Sequence, residues 1–272
     1  MTDTTTTTDV ATAATEPAAR QTVDGVRLTV SGGTLGHRGA GADPVLRGLE
    51  LTVAPGELLT VVGPSGCGKS TLLRTLAGLL PPLRGTLSQD ERSLTGPSAD
   101  RALMFQDDAL LPWRSLLRNV ELPLAIRGVP RTKRRTQAQD WLARVGLRGY
   151  EKRWPHQVSG GQRQRAQLAR ALAGAPRALL MDEPFGALDA QTRAAMQQLL
   201  VDVVADSGTT VVFVTHDVDE ALFLGDRVAL LRSAPGDGEQ PVRLYDVPRP
   251  RDRTAHEHPD TRALRRAVLD AL

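Results

Sequence analysis

A chain of 272 residues, 40% hydrophobic and 24% charged, has the composition of a soluble globular protein that can bury one substantial core or two modest ones. Its net charge of +3, from 34 basic and 31 acidic residues, is too slight to mark a nucleic-acid surface, so no nucleic-acid partner is expected. No apolar run approaches the roughly 18 residues that cross a bilayer, and a single cysteine, Cys67, excludes an intrachain disulfide and fits a reducing cytosol.

The N-terminal stretch holds eight threonines in its first 15 residues. It lacks the basic start and apolar core of a secretion signal, and residues 1–22 read as a disordered tail. From Val23 onward, short apolar runs alternate with helix-like segments, which argues an α/β fold with ligands at the carboxyl ends of its strands. "LLTVVG" (58–63) is a buried-strand pattern that runs into a glycine loop. "STLLRTLAGL" (70–79) follows with helical spacing and stops near Gly78 and the Pro81–Pro82 pair. Residues from about 107 to 173 carry helical periodicity, Arg-rich faces and few strand candidates, and read as a helical insert. "RALLMD" (177–182) and "TVVFVTH" (210–216) are continuous apolar runs suited to buried parallel strands. The last segment, 233–272, contains "APGDGEQP" and "PRPRDR" before a helix-like "TRALRRAVLDAL" (261–272).

The strongest chemical signal is "GPSGCGKST" (63–71), which satisfies G-x-x-x-x-G-K-[ST] between a predicted strand and a predicted helix. Gly63, Pro64, Ser65, Gly66, Cys67, Gly68, Lys69, Ser70 and Thr71 would form a loop whose backbone N–H groups curl around phosphates. Lysine occurs only at Lys69, Lys133 and Lys152 in a chain that otherwise uses arginine. A compact ammonium at Lys69 reaches between β- and γ-phosphates where the planar guanidinium is too bulky, and the Ser70 hydroxyl would ligate Mg²⁺. Cys67 reads as a small filler residue rather than a reactive thiol.

"ALLMDEP" (178–184) brings two adjacent carboxylates to a strand end. Successive strand residues face opposite ways, so Asp182 and Glu183 should differ in role: Asp182 holding Mg²⁺ through water, Glu183 polarising an attacking water. Taken alone, the pair equally fits a solvated helix start. His216 ends the run "TVVFVT" and could reach a γ-phosphate; Gln106, after "ALMF" (102–105), could ligand Mg²⁺ or water. Either could equally be structural. "VSGGQRQRAQLARAL" (158–172) offers Ser159 as an N-cap and two uncovered glycines, Gly160 and Gly161, at a helix start. On its own it is a simple capped helix, an anion-binding helix start, or a basic face for RNA.

In this order, residues 63–71, Gln106, "VSGGQ" (158–162), "LLMDEP" (179–184), "ALD" (187–189) and His216 resemble the ATP-binding cassettes of ABC transporters. The resemblance covers about Val26 to Leu231 and implies a P-loop NTPase core with a mostly parallel sheet, an antiparallel β subdomain and a helical signature subdomain. It divides the chain into the tail, an ATP-binding domain at 23–232 and a C-terminal extension at 233–272. It also implies ATP and Mg²⁺ as ligands and a head-to-tail dimer with a second copy. Ser159, Gly160, Gly161 and Gln162 would then face the other subunit's nucleotide, Asp189 would lie at the interface, and Gln106 would link the site to a membrane partner. "MFQDDALLPWRSLLRNVELPL" (104–124), "DEPFGALDAQTRAAMQQLL" (182–200) and "PRPRDR" (248–253) look like the nitrate, sulfonate and taurine importer subfamily.

That subfamily works at the cytoplasmic face of the membrane with transmembrane permease subunits and a substrate-binding protein. Cassettes for thiamine-pyrimidine precursors are similar, and soluble ABC ATPases of DNA repair or translation are the competing class. Leu110, Leu111, Pro112 and Trp113 look exposed and apolar, as a groove for the membrane subunit would require. Two features depart from the pattern. Val158 stands where leucine is usual, and residues 23–56 contain no Phe, Tyr or Trp to stack on adenine, which leaves His37 as the ring available there.

Overall fold

Strand, loop and helix alternate along most of the chain. The computed structural model describes residues 24–36, 44–106, 109–232, 240–249 and 259–272. The elements begin with β1 (Leu28–Leu35), β2 (Leu46–Val53), β3 (Leu58–Val62), α1 (Lys69–Leu76), β4 (Arg84–Gln89), β5 (Arg92–Ser93) and β6 (Arg101–Met104). Three helices follow, α2 (Leu116–Ile126), α3 (Arg131–Arg144) and α4 (Gly160–Ala173), with no strand between them among the described residues. Then come β7 (Ala178–Asp182), α5 (Ala190–Ser207), β8 (Thr210–Val214), α6 (Val218–Leu224), β9 (Arg227–Leu231), β10 (Val242–Asp246) and α7 (Pro259–Asp270).

The main sheet runs β10-β9-β3-β8-β7-β6, parallel throughout except for the antiparallel edge pair β10–β9. β3, β7 and β8 are buried at every residue, which is why their sequences are continuous rather than alternating apolar runs. Their side chains still divide between two faces. Val211, Phe213, Leu179 and Met181 join a core shared with α2, α3, α4 and α5. Val212, Val214, Leu180 and Val61 join a second core in which Leu72, Leu73 and Leu76 of α1 meet the antiparallel sheet β2-β1-β4-β5. The fold is the α/β arrangement that the sequence predicts, with a parallel core sheet and a separate antiparallel sheet.

The helical segment packs on itself as well as on the sheet. α3 is mostly polar: Ala138 and Leu142, four residues apart, are its buried positions, and Trp141 packs partly buried against the same core. α7 docks on α6: Val268 is fully buried with Ala221 and Leu222, and the Arg265 guanidinium holds Asp219 with two bonds of 2.6 and 3.1 Å. No helix among the described residues is long and apolar enough to cross a membrane.

The stop expected near Gly78 is found: α1 ends at Leu76 and Gly78 turns the chain with φ 80°. Two expectations are adjusted. β8 stops at Val214, so His216 belongs to the turn beyond the strand. Leu110 is core rather than surface at 5% exposure, and the exposed apolar positions of that loop are Pro112 and Trp113. The Thr-rich tail and His37 lie outside the described residues.

Phe213 is fully buried, its ring 5.4 Å from that of Phe185. Phe213→Ala should cost about 3–5 kcal/mol of stability in urea unfolding. A loss below about 1 kcal/mol would show that the two aromatic rings do not hold the sheet to its helical layer.

Candidate active site

β3 delivers the chain into the glycine loop at the centre of the sheet. Gly63 is required by crowding: a Cβ there would lie 2.5 Å from the Leu231 carbonyl oxygen and 2.8 Å from Cys67 Sγ. Gly68 caps α1 in the left-handed region at φ 104°, with Val45 2.9 Å from where a Cβ would be. Lys69 Nζ donates to the carbonyl oxygens of Gly63 (2.8 Å) and Pro64 (2.9 Å), so the ammonium lies against the loop it belongs to. Pro64, Ser65 and Gly66 form the outer turn, and Thr71 packs inward. Cys67 is 1% exposed; burial pushes its thiol up, and the charge of Lys69 only partly offsets this. The filler reading of Cys67 fits this environment.

Asp182 is the last residue of β7 and is 9% exposed. Burial raises its pKa, and a hydrogen bond with the Ser70 hydroxyl pulls the other way. A hydroxyl and a carboxylate brought together beside a phosphate loop are an all-oxygen donor set, which suits Mg²⁺.

Glu183 diverges from Asp182 for a reason other than strand pleating. The strand has ended, and Glu183 takes φ 45°, a left-handed turn uncommon for a non-glycine residue. Its N–H donates to the Val214 carbonyl oxygen at 3.0 Å, which fixes the turn to β8. Its carboxylate Oε2 accepts from Gln106 Nε2 at 3.4 Å and lies 3.3 Å from His216 Nδ1. Three neighbouring strands, β6, β7 and β8, thus bring Gln106, Glu183 and His216 around one carboxylate oxygen. The contacts are long, and the His216 side chain is 72% exposed, so the cluster is open to a ligand.

Ser159, Gly160, Gly161 and Gln162 form a second, separate feature. Ser159 caps α4 by a reciprocal pair: its Oγ accepts from Gln162 N–H (3.2 Å), and Gln162 Oε1 accepts from Ser159 N–H (2.9 Å). Gly161 lies against Ala187 and Leu188, where an added Cβ would come within 3.2 Å of the Leu188 side chain. Asp189 caps α5, accepting from Thr192 N–H at 2.9 Å, and that bond holds its carboxyl below the usual range.

Several residues that tie these features together carry no motif. Gln167 is 1% exposed and donates to the Phe105 carbonyl oxygen at 3.1 Å, and Arg170 donates to the Ala109 carbonyl at 2.8 Å. Gln164 accepts from Ala187 N–H at 3.2 Å. All three lie on α4, so this helix grips both the Gln106 segment and the 187–189 loop. Asn119, fully buried, accepts from Leu111 N–H at 2.7 Å and donates to the carbonyls of Leu111, Arg114 and Ser115, which pins the loop before α2. A groove of about 550 Å³ opens beside that loop, lined by Trp113, Arg114, Ser115, Arg118, Lys152 and Trp154. A cavity of about 580 Å³ near Gln89, Arg101 and Arg177 is built from other residues than the phosphate loop and the carboxylates.

Residues 46–186 match the family model described as ABC transporter. The chain belongs to the ABC transporter family. It is 47% identical over 209 residues to the taurine import ATP-binding protein TauB of Yersinia pestis, covering 77% of this chain and 81% of that one. The Chromobacterium violaceum protein of the same description is 53% identical over 195 residues, covering 72% and 75%. A dimeric post-hydrolysis ATP-binding cassette bound to ADP and Pi superposes with a TM-score of 0.72 at 32% identity, covering 82% of this chain and 99% of that one. The chain is accordingly an ABC-type ATPase.

Buried and with its pKa raised, the Cys67 thiol should resist iodoacetamide at pH 7.5 in the native protein and react fast once urea unfolds it. Equal rates of alkylation, followed by mass spectrometry, would contradict its placement.

Proposed function

We propose that this ABC ATPase energises an importer of small organic anions of the taurine type, from the cytoplasmic face of a membrane. The observation that carries the hydrolytic part is the meeting of Gln106 and His216 on the Glu183 carboxylate at the end of the strand beside the phosphate loop's neighbours. The substrate class rests on the relatives described as taurine import ATP-binding proteins.

In this reading ATP enters over the glycine loop, and Lys69 Nζ leaves the Gly63 and Pro64 carbonyls for the β- and γ-phosphates. Ser70, Asp182 and Gln106 would hold Mg²⁺, which would supply charge neutralisation at the phosphates. Glu183 orients the attacking water, and His216 steadies Glu183 and approaches the γ-phosphate. The capped start of α4, Ser159 to Gln162, faces the nucleotide of a second copy, with Asp189 near the interface. The dimeric state of the similar cassettes supports this pairing. Closure then passes through the Gln106 segment to a membrane subunit seated at Trp113 and its groove, and a substrate-binding protein delivers the anion outside.

A strain lacking this chain should lose uptake of radiolabelled taurine. The wild-type chain should restore it, and Glu183→Gln should leave it at background. Uptake that survives the deletion would overturn the substrate assignment; restoration by Glu183→Gln would remove Glu183 from hydrolysis.

A further inference from the structure

His216 is held by its backbone turn more than by its side chain, which is exposed and makes one 3.3 Å contact. What fixes the turn therefore decides where the imidazole lies. Thr215, 2% exposed, anchors it twice. Its N–H donates to the Val61 carbonyl oxygen at 3.1 Å, on the phosphate-loop strand. Its hydroxyl accepts from Asp217 N–H at 3.0 Å and donates to Glu220 Oε2 at 2.5 Å.

The other oxygen of Glu220 accepts from Gln197 Nε2 at 2.8 Å. Gln197 is 6% exposed and lies two turns into α5, the helix that starts at Asp189. Arg193, one turn in, faces Glu220 with its positive charge, opposed by the like charge of Asp217, and donates to the Leu188 carbonyl at 3.2 Å. Leu188 is the residue against which Gly161 packs. A continuous set of contacts therefore runs from the start of α4 through Leu188 and α5 to Glu220, Thr215 and His216.

We propose that Glu220 is a positioning residue that couples α5 to His216, so that movement at the Gly161–Asp189 face sets the imidazole on Glu183. A carboxylate suits the task because each oxygen takes one donor, Thr215 on one side and Gln197 on the other. A leucine at 220 would keep the bulk and leave both donors without an acceptor. The inference rests on the roles of Glu183 and His216 given above and adds the route by which α5 reaches them.

The test compares Glu220→Leu and Thr215→Val, which keep the bulk, with Thr215→Ser, which keeps the hydroxyl. The readouts are kcat and KM for ATP hydrolysis by the full chain, together with the imidazole ¹⁵N shifts of His216. The first two variants should lower kcat about tenfold or more with KM for ATP within about twofold, since a small displacement at the reacting centre is costly. They should also shift the His216 nitrogens, and Thr215→Ser should restore both. Wild-type kcat, equal losses in kcat and ATP binding, or failure of serine to restore would reduce Glu220 to a structural role. Unchanged His216 shifts overturn the coupling whatever the activity. A wild-type chain without ATPase activity would instead fault the hydrolytic roles, with the nitrogen shifts still deciding the coupling.

Discussion

The pairing of β8 with β3 on one side and β7 on the other sets the positions of the phosphate loop, Glu183 and His216 relative to one another. Val214 is the hinge of that arrangement, being in register with both Val61 and Asp182. Just beyond it, Glu183 N–H bonds to the Val214 carbonyl and Thr215 N–H bonds to the Val61 carbonyl. A slip of one residue in either pairing would turn Phe213 from the helical core to the other face and separate the carboxylate from the imidazole. The complete burial of β3, β7 and β8 makes such a slip costly, so the core holds the chemistry in place without contributing to it.

Around this fixed centre the helical segment shares the sheet's apolar core and is also tied to it by polar links. Gln167 to Phe105, Arg170 to Ala109 and Gln164 to Ala187 are side-chain-to-backbone bonds, all from α4. They connect the start of α4 with the Gln106 segment and with the loop that leads to Asp189. Buried amides of this kind are costly to leave unpaired, so the links should move as units.

The central strands were readable because burial on both faces leaves an unbroken apolar run, and the phosphate loop because its spacing is tied to its chemistry. β4 was not, since Leu87 is its one buried residue, and β1 carries Gly32 and Gly33 within its length. Glu183 lies beyond the strand in a left-handed turn, where the alternation of strand side chains no longer applies. Leu110 misled because an apolar residue in a loop reads as surface until its neighbours are known. Glu220 was unreadable in a stronger sense. Its partners Thr215 and Gln197 lie on different elements, and only packing makes a carboxylate there a link and not a solvated helix residue.

In the proposed dimer the two glycine-rich helix starts of the chain, at Gly63–Thr71 and Ser159–Gln162, serve two different nucleotides. Disulfide cross-linking tests this most directly, with Ser65→Cys and Ser159→Cys introduced into one chain that also carries Cys67→Ser and Glu183→Gln. With ATP and a mild oxidant, a covalent dimer joined between position 65 of one protomer and 159 of the other is expected, absent without ATP. A chain that stays monomeric, or that cross-links within itself, would contradict it.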